Sequence, residues 1–493
     1  MAKDGEHKQP DAAVKDDVEA RKRDLEEKTS ETTHTVVVGG QEIAYTAKAG
    51  TLILKDDEGT PKASVFYVAY TKNDVEDVSQ RPITFSFNGG PGSSSVWLHL
   101  GVLGPQRVEM DSEGRPLPPP CKLVNNEYSL LDVTDLVFID PVSTGYSRPA
   151  PGEEAKQFHG VEQDIASVGE FIRLFTTRSQ RWHSPKFLIG ESYGTTRAAG
   201  LSSYLQEELG MYINGIMLVS AILNFQTARF TLGNDLPYIL FLPTYAATAW
   251  YHQKLPQDLQ ALSLVAYLGQ VDVFARGAYS AALIQGASLP ADERAEVVAM
   301  LARYTGLTES YIEQTNLRIN IHRFVKELLR DERRTIGRFD SRITGIDRDA
   351  AGEHHDYDPS YATVQGAYTA ALNHYVRSFL DFKIDQSYAI LTGNVQPWDY
   401  SKHQNEYLNV AESLRQAITY NSYLKVFVGN GYYDLATPYF ATQYTFNHLE
   451  LDPTLEDHIT MGYYEAGHMM YLHGPSLAKL KADLAAFVAA TLG

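Results

Sequence analysis

The stretch Pro185-Lys-Phe-Leu-Ile-Gly-Glu-Ser-Tyr-Gly194 carries the most information in the chain. Its second half, Gly190-Glu191-Ser192-Tyr193-Gly194, has the form G-x-S-x-G, with an apolar run before it and a helical stretch over 195–208 after it. A serine between two such glycines can sit on a tight strand-to-helix turn with its hydroxyl exposed, because bulkier residues two positions away would strike neighbouring strands. The helix N-terminus that follows favours negative charge developing beside it.

Working outward, short apolar runs alternate with helical stretches. Strands are expected at 83–87, 136–139, 187–189, 216–219, 425–428 and 459–463. Val161, Ile165, Val168, Ile172 and Phe175 recur at helical spacing, and 411–420 is a second helix candidate. Such alternation predicts a mainly parallel sheet covered on both faces. Ahead of it, Val36–Val38, Ile43–Tyr45, Leu52–Leu54 and Val65–Tyr70 read as antiparallel hairpins, separated by turns at Gly39-Gly40, Lys48-Ala49-Gly50 and Asp56-Asp57-Glu58-Gly59. The alternation breaks between about 225 and 393, where helical stretches (290–304, 309–330) predominate. The expected organisation is a charged, disordered tail over 1–33, a core over 34–224 and 394–493, and a helical cap inserted at 225–393.

Two further residues stand where a serine nucleophile needs them. Val426-Phe-Val-Gly-Asn-Gly-Tyr-Tyr-Asp434 places an acid just past a strand, and Tyr463-Tyr-Glu-Ala-Gly-His468 places a histidine just past the next. Asp434 follows Ser192 by 242 residues and precedes His468 by 34, so the order is Ser, Asp, His. That order fits a nucleophile on this kind of sheet, with the cap falling in the longer interval. An oxyanion hole would take one N–H from Tyr193, the residue after the nucleophile. A second would come from the Gly-rich loop within Phe85-Ser-Phe-Asn-Gly-Gly-Pro-Gly-Ser-Ser-Ser95. This loop lacks the Gly-Lys-Ser/Thr of a phosphate cradle.

Composition narrows the function. The 493 residues are 44% hydrophobic and 21% charged, which is ordinary for a globular protein, and the formal net charge of −18 argues against a nucleic-acid partner. Cys121 is the only cysteine, set behind three prolines, so an intrachain disulfide is excluded and a loop position is expected. No apolar run is long enough to span a membrane. Residues 1–33 carry 7 Lys/Arg and 10 Asp/Glu with no apolar leader. A cytoplasmic location is therefore expected, or a periplasmic or secreted one if a signal was removed. His354-His355-Asp356 has no metal-ligand spacing and is expected as a solvated loop.

Taken together, Asn88-Gly-Gly-Pro-Gly-Ser-Ser-Ser95, Gly104-Pro105, Asp140-Pro-Val-Ser-Thr-Gly-Tyr-Ser147, Gly190–Gly194 and Ala466-Gly-His468 resemble the serine carboxypeptidases of the α/β-hydrolase fold. The resemblance implies a serine-type exopeptidase releasing residues from the free C-terminus of a peptide, with Ser192, Asp434 and His468 as its triad. Gly90 and Tyr193 would supply the oxyanion N–H groups, and Asn88, the Gly89 backbone and Glu191 would bind the terminal carboxylate. An ionised Glu191 would repel that carboxylate, whereas a protonated one would donate to it. No metal or organic cofactor is required.

The chain also departs from the family. Ser86 stands where a Trp is usual, and Val102 where a second glutamate would share the Glu191 proton. Thr195 replaces a small residue, and Arg197 is expected to serve packing or anion pairing. The absent disulfides and Asn-x-Ser/Thr sites fit a bacterial-type member. An esterase, amidase or acyltransferase on the same scaffold is the second reading, because fold does not fix substrate, and a non-catalytic binding protein is the third. The oligomeric state is left open by the sequence.

Overall fold

A computed structural model describes residues 25–493. Nine strands build the central sheet: β1 Thr29–Val38, β2 Gln41–Lys55, β3 Pro61–Lys72, β4 Ile83–Phe87, β5 Asp135–Ile139, β6 Lys186–Ser192, β7 Gly215–Ala221, β8 Lys425–Gly431 and β9 Ile459–Tyr464. Their order is β1-β2-β3-β5-β4-β6-β7-β8-β9, with the short strand Arg148–Pro149 added alongside β3. The pairings β1–β2, β2–β3 and β3–β5 are antiparallel, and from β5 across to β9 every pairing is parallel. The sheet is therefore mainly parallel and opens on a hairpin edge, as expected.

Successive residues of a strand face opposite sides, and the core is sorted accordingly. Phe187, Ile189, Met217, Val219 and Phe427 belong to one apolar cluster, while Leu188, Ile216, Leu218, Val426 and Val428 belong to the other. The second face is covered by helices α1 (Val161–Arg178) and α2 (Tyr193–Glu207). The first is covered by Leu477, Leu480, Leu484 and Phe487 of the last helix, Gly474–Leu492. A third cluster unites the helices Leu236–Tyr251, Leu264–Phe274, Ala291–Thr305 and Ile321–Glu327. It also takes in Tyr433, Leu435, Tyr439 and Phe440 from the segment after β8.

Four expectations change. Of the charged tail, residues 1–24 lie outside the described structure, but β1 already begins at Thr29 and pairs with β2 up to Gly50. Lys48-Ala49-Gly50 is no turn. β2 runs through it, and the missing side chain of Gly50 lets the Lys28 carbonyl close on the strand. The stretch expected as one helix over 309–330 is broken after Gln314: Asn316 and Leu317 take positive φ (52° and 65°), and Asn320 caps a new helix by accepting from the His322 N–H at 2.9 Å. Finally, the helix Pro359–His374 puts Val364, Tyr368 and Leu372 into the sheet's own cluster, so this part of 225–393 packs with the core and not with the helical insert. Among the described residues no helix is long and apolar enough to cross a membrane.

Candidate active site

Parallel strands deliver the site residues to one edge. Phe87 pairs with Gly190, so the Gly-rich loop after β4 starts level with the turn that ends β6. Ser192 closes β6 with φ 60° and ψ −129°, and α2 begins at the next residue. A non-glycine residue at positive φ is held there only where its surroundings enforce it. Here the glycines do so. A Cβ at Gly190 would strike the Gly194 carbonyl, and one at Gly194 would strike the Phe87 carbonyl. Thr195 and Thr196 add a clamp: Thr195 Oγ1 donates to the Ser192 carbonyl (2.6 Å) and accepts from the Ile222 N–H (2.9 Å), and Thr196 Oγ1 donates to the Ile222 carbonyl (2.7 Å).

Asp434 and His468 lie on loops laced to one another. The Tyr432 N–H donates to the Tyr464 carbonyl and the Tyr433 N–H to the Ala466 carbonyl, at 2.9 and 3.0 Å. Asp434 is fully buried. Its Oδ1 accepts from the N–H groups of Ala436 (2.8 Å) and Thr437 (3.0 Å), and its Oδ2 from Thr437 Oγ1 (2.7 Å). The same Oδ2 lies 2.8 Å from His468 Nδ1. Burial alone would lower the proton affinity of His468. The charge and hydrogen bond of Asp434 outweigh that and hold it above the ordinary imidazole value, with Glu191 adding to the rise and Arg338 opposing it. Ser192 and His468 line one cleft of about 640 Å³, although no hydrogen bond between them is formed in this geometry.

The loop from Asn88 to Ser95 faces the same cleft. Gly90 takes φ 106°, and Gly89 lies so close to the Tyr193 N–H that a Cβ there would collide with it. Among the described residues neither the Gly90 nor the Tyr193 N–H donates to a loop carbonyl. Asn88 is buried. Its Oδ1 accepts from the Leu98 N–H at 3.1 Å, yet its Nδ2 has no partner. An orphaned buried amide donor is costly unless something else fills it. Glu191 is the only acidic residue lining the cleft among the described residues, which otherwise presents Arg229, His322 and Arg338 among aromatic side chains. Burial pushes its carboxyl up to about 7. The neighbouring His468 and a hydrogen bond from Tyr471 pull it down, and Asp434 pushes it up further.

Arg197 holds this arrangement from behind. Its guanidinium donates to Asp164 Oδ2 of α1 at 2.7 Å and to the Asn88 carbonyl at 2.6 Å, and it lies over the rings of Phe87 and Tyr193. The motif Asp140–Ser147 is a second brace: Asp140 Oδ1 accepts from the Ser95 N–H (2.9 Å), and Ser147 Oγ donates to the Asp140 carbonyl (2.6 Å). Cys121 is half-buried in a loop. Sequence reading missed Thr437 and Tyr471. Thr437 could have been suspected three residues past Asp434, but nothing local marks Tyr471 as a partner of Glu191.

This sheet order, with a strained serine at the end of β6 and a buried Asp–His pair on the loops after β8 and β9, defines a protein of the α/β-hydrolase class. The sequence profile of the serine carboxypeptidases matches residues 41–468, and the chain belongs to that family. It is 35% identical to the pheromone-processing carboxypeptidase KEX1 of Saccharomyces cerevisiae over 122 residues, which is 24% of this chain and 16% of that protein. With the carboxypeptidase Y homolog A of Podospora anserina the identity is 32% over 140 residues, 28% of this chain and 22% of the relative. The matched stretches thus span less than a quarter of these relatives' own length. The crystal structure of KEX1(Δ)p, a prohormone-processing carboxypeptidase of S. cerevisiae, shares the fold with a TM-score of 0.53 and 15% identity, over 90% of this chain and 91% of that one. These relatives lend no support to the cytoplasmic location expected above.

Proposed function

We propose that this protein is a serine-type carboxypeptidase that releases the C-terminal residue of a peptide through an acyl-enzyme. The observation that carries this reading is the pair of groups beside Ser192: an unpartnered, buried Asn88 amide and a buried carboxyl, Glu191, that holds its proton up to about 7. Both can donate to a carboxylate, and a free peptide C-terminus is the carboxylate that would lie one residue from the attacked carbonyl. The Gly89 backbone completes the set.

In the proposed reaction His468 Nε2 takes the Ser192 proton as Oγ attacks the last peptide carbonyl. Asp434 fixes the imidazole and stabilises its cation. The N–H groups of Gly90 and Tyr193 receive the oxyanion. On collapse the C–N bond breaks, and the departing amine takes the proton back from His468. Water, deprotonated by His468, then attacks the ester and frees Ser192.

Two measurements test this. A blocked dipeptide with a free C-terminus should be cleaved with kcat/KM at least ~100-fold above its C-terminal amide, because an amide leaves the proton donors poorly matched. Equal rates would instead favour an amidase or esterase without a terminal-carboxylate site. The pH profile should fall on the alkaline side as Glu191 loses its proton near 7, and on the acid side as His468 gains one. Glutamine donates without ionising, so Glu191→Gln should move the alkaline limb upward. A profile identical to that of the unaltered protein would remove Glu191 from this role.

A further inference from the structure

Among the described residues Glu191 makes one side-chain hydrogen bond with the protein: the Tyr471 hydroxyl donates to its Oε2 at 2.6 Å, with both side chains buried. Its Oε1 has no protein partner, and the residue lines the cleft. Tyr471 lies three residues beyond His468 in the short helical turn Met470–Leu472, so one loop brings both the imidazole and this phenol to the site. The ring is seated against Gly101, where a Cβ would overlap it, and the same Cβ would come within 3.1 Å of the Tyr368 hydroxyl. Val102, next to Gly101, is fully buried and apolar.

We infer that Tyr471 is a positioning residue that aims the Glu191 proton at the substrate's terminal carboxylate, an inference that rests on the carboxypeptidase reading. A carboxylic acid that accepts a hydrogen bond on Oε2 carries its proton on Oε1, the oxygen left for a ligand. The phenol keeps its own proton throughout, because burial and the nearby Glu191 and Tyr368 hold it well above the ordinary tyrosine value. The groups facing Glu191 are therefore one permanent donor, Tyr471, together with Tyr368, His468 and Asp434. None of these offers the carboxyl a second carboxyl oxygen in hydrogen-bond contact with which to share its proton.

The hydroxyl also steadies the ionised form, since a hydrogen bond to a carboxylate is stronger than one to the neutral acid. Tyr471→Phe keeps the ring against Gly101 and removes only the oxygen, so it separates aiming from packing. With the hydroxyl gone, Glu191 should hold its proton to higher pH, and the alkaline limb of kcat/KM should rise by ~1 pH unit. At pH 5, where Glu191 is protonated in both proteins, KM for the free-acid dipeptide should rise ~10-fold with kcat within ~2-fold. kcat/KM for the amide, which has no terminal carboxylate, should fall by a clearly smaller factor than for the free acid.

A limb that stays in place overturns the inference. So does an unaltered free-acid KM at pH 5, or an equal loss for acid and amide, which would mean that the phenol merely braces the loop. The unaltered protein is measured first. If it cleaves acid and amide equally, the carboxypeptidase reading fails and this inference falls with it. If it discriminates and Tyr471→Phe behaves as the unaltered protein does, only the inference fails.

Discussion

Ser192→Ala is expected to lower kcat by about 10⁴- to 10⁶-fold, leaving only what binding and the oxyanion donors provide. The side chain lines the cleft at the turn between β6 and α2, and its backbone is held at positive φ by two glycines with no room for a Cβ. The substitution deletes one oxygen and leaves that geometry in place, so the loss should be chemical and not structural. Labelling by a fluorophosphonate should vanish with it. Because nucleophile and base act as a unit, His468→Ala should cost a similar factor, and the double variant little more than either one. Retained labelling in Ser192→Ala would place the reactive group elsewhere, and its absence in the unaltered protein would favour a binding protein on this fold.

The largest expected loss of stability comes from Arg197→Met. Arg197 and Asp164 are 1% and 3% exposed and meet at 2.7 Å. Removing one member of such a pair costs about 3–5 kcal/mol, because the other is left charged and desolvated. Burial already raises the Asp164 proton affinity against the pull of Arg197. Without the guanidinium it should rise further, so the folded variant binds a proton more tightly than the unfolded chain does. Stability gained that way is present at low pH and lost as pH increases through the folded-state value. The deficit should therefore be smaller at pH 4 than at pH 8 in urea unfolding. Arg197→Met/Asp164→Leu should recover most of it. Activity should fall in the single variant even where it is folded, since the Asn88 carbonyl loses its tether at the head of the loop proposed to carry an oxyanion donor. A deficit under about 1 kcal/mol at both pH values would contradict this account.

Much of this was legible because the parallel strands announce themselves. Buried on both faces, they read as short apolar runs, and the run at 83–87 coincides with β4. The Ser, Asp and His candidates were picked out by the same pattern, since Ser192 closes a strand and Asp434 and His468 follow the ends of two others by three and four residues. The failures have a common cause in tertiary contact. Gly50 looks like a turn until the Lys28 carbonyl is seen to need its empty side, and the break after Gln314 depends on two left-handed residues that periodicity passes over. Helix Pro359–His374 lies within the helix-rich interval, and only packing assigns it to the sheet. Tyr471 lies 280 residues from Glu191, so no local pattern could join them.

Tyr433 and Leu435 flank Asp434 and are at the same time members of the helical insert's apolar cluster. The acid is thus mounted partly on the layer that roofs the cleft. Swapping that layer for another, whether by drift or by grafting, would disturb the seat of the carboxylate as well as the walls of the binding groove. Selectivity and reactivity are therefore not independent traits in this chain, and new substrate preferences should arise more readily from point changes along the groove than from wholesale exchange of its roof.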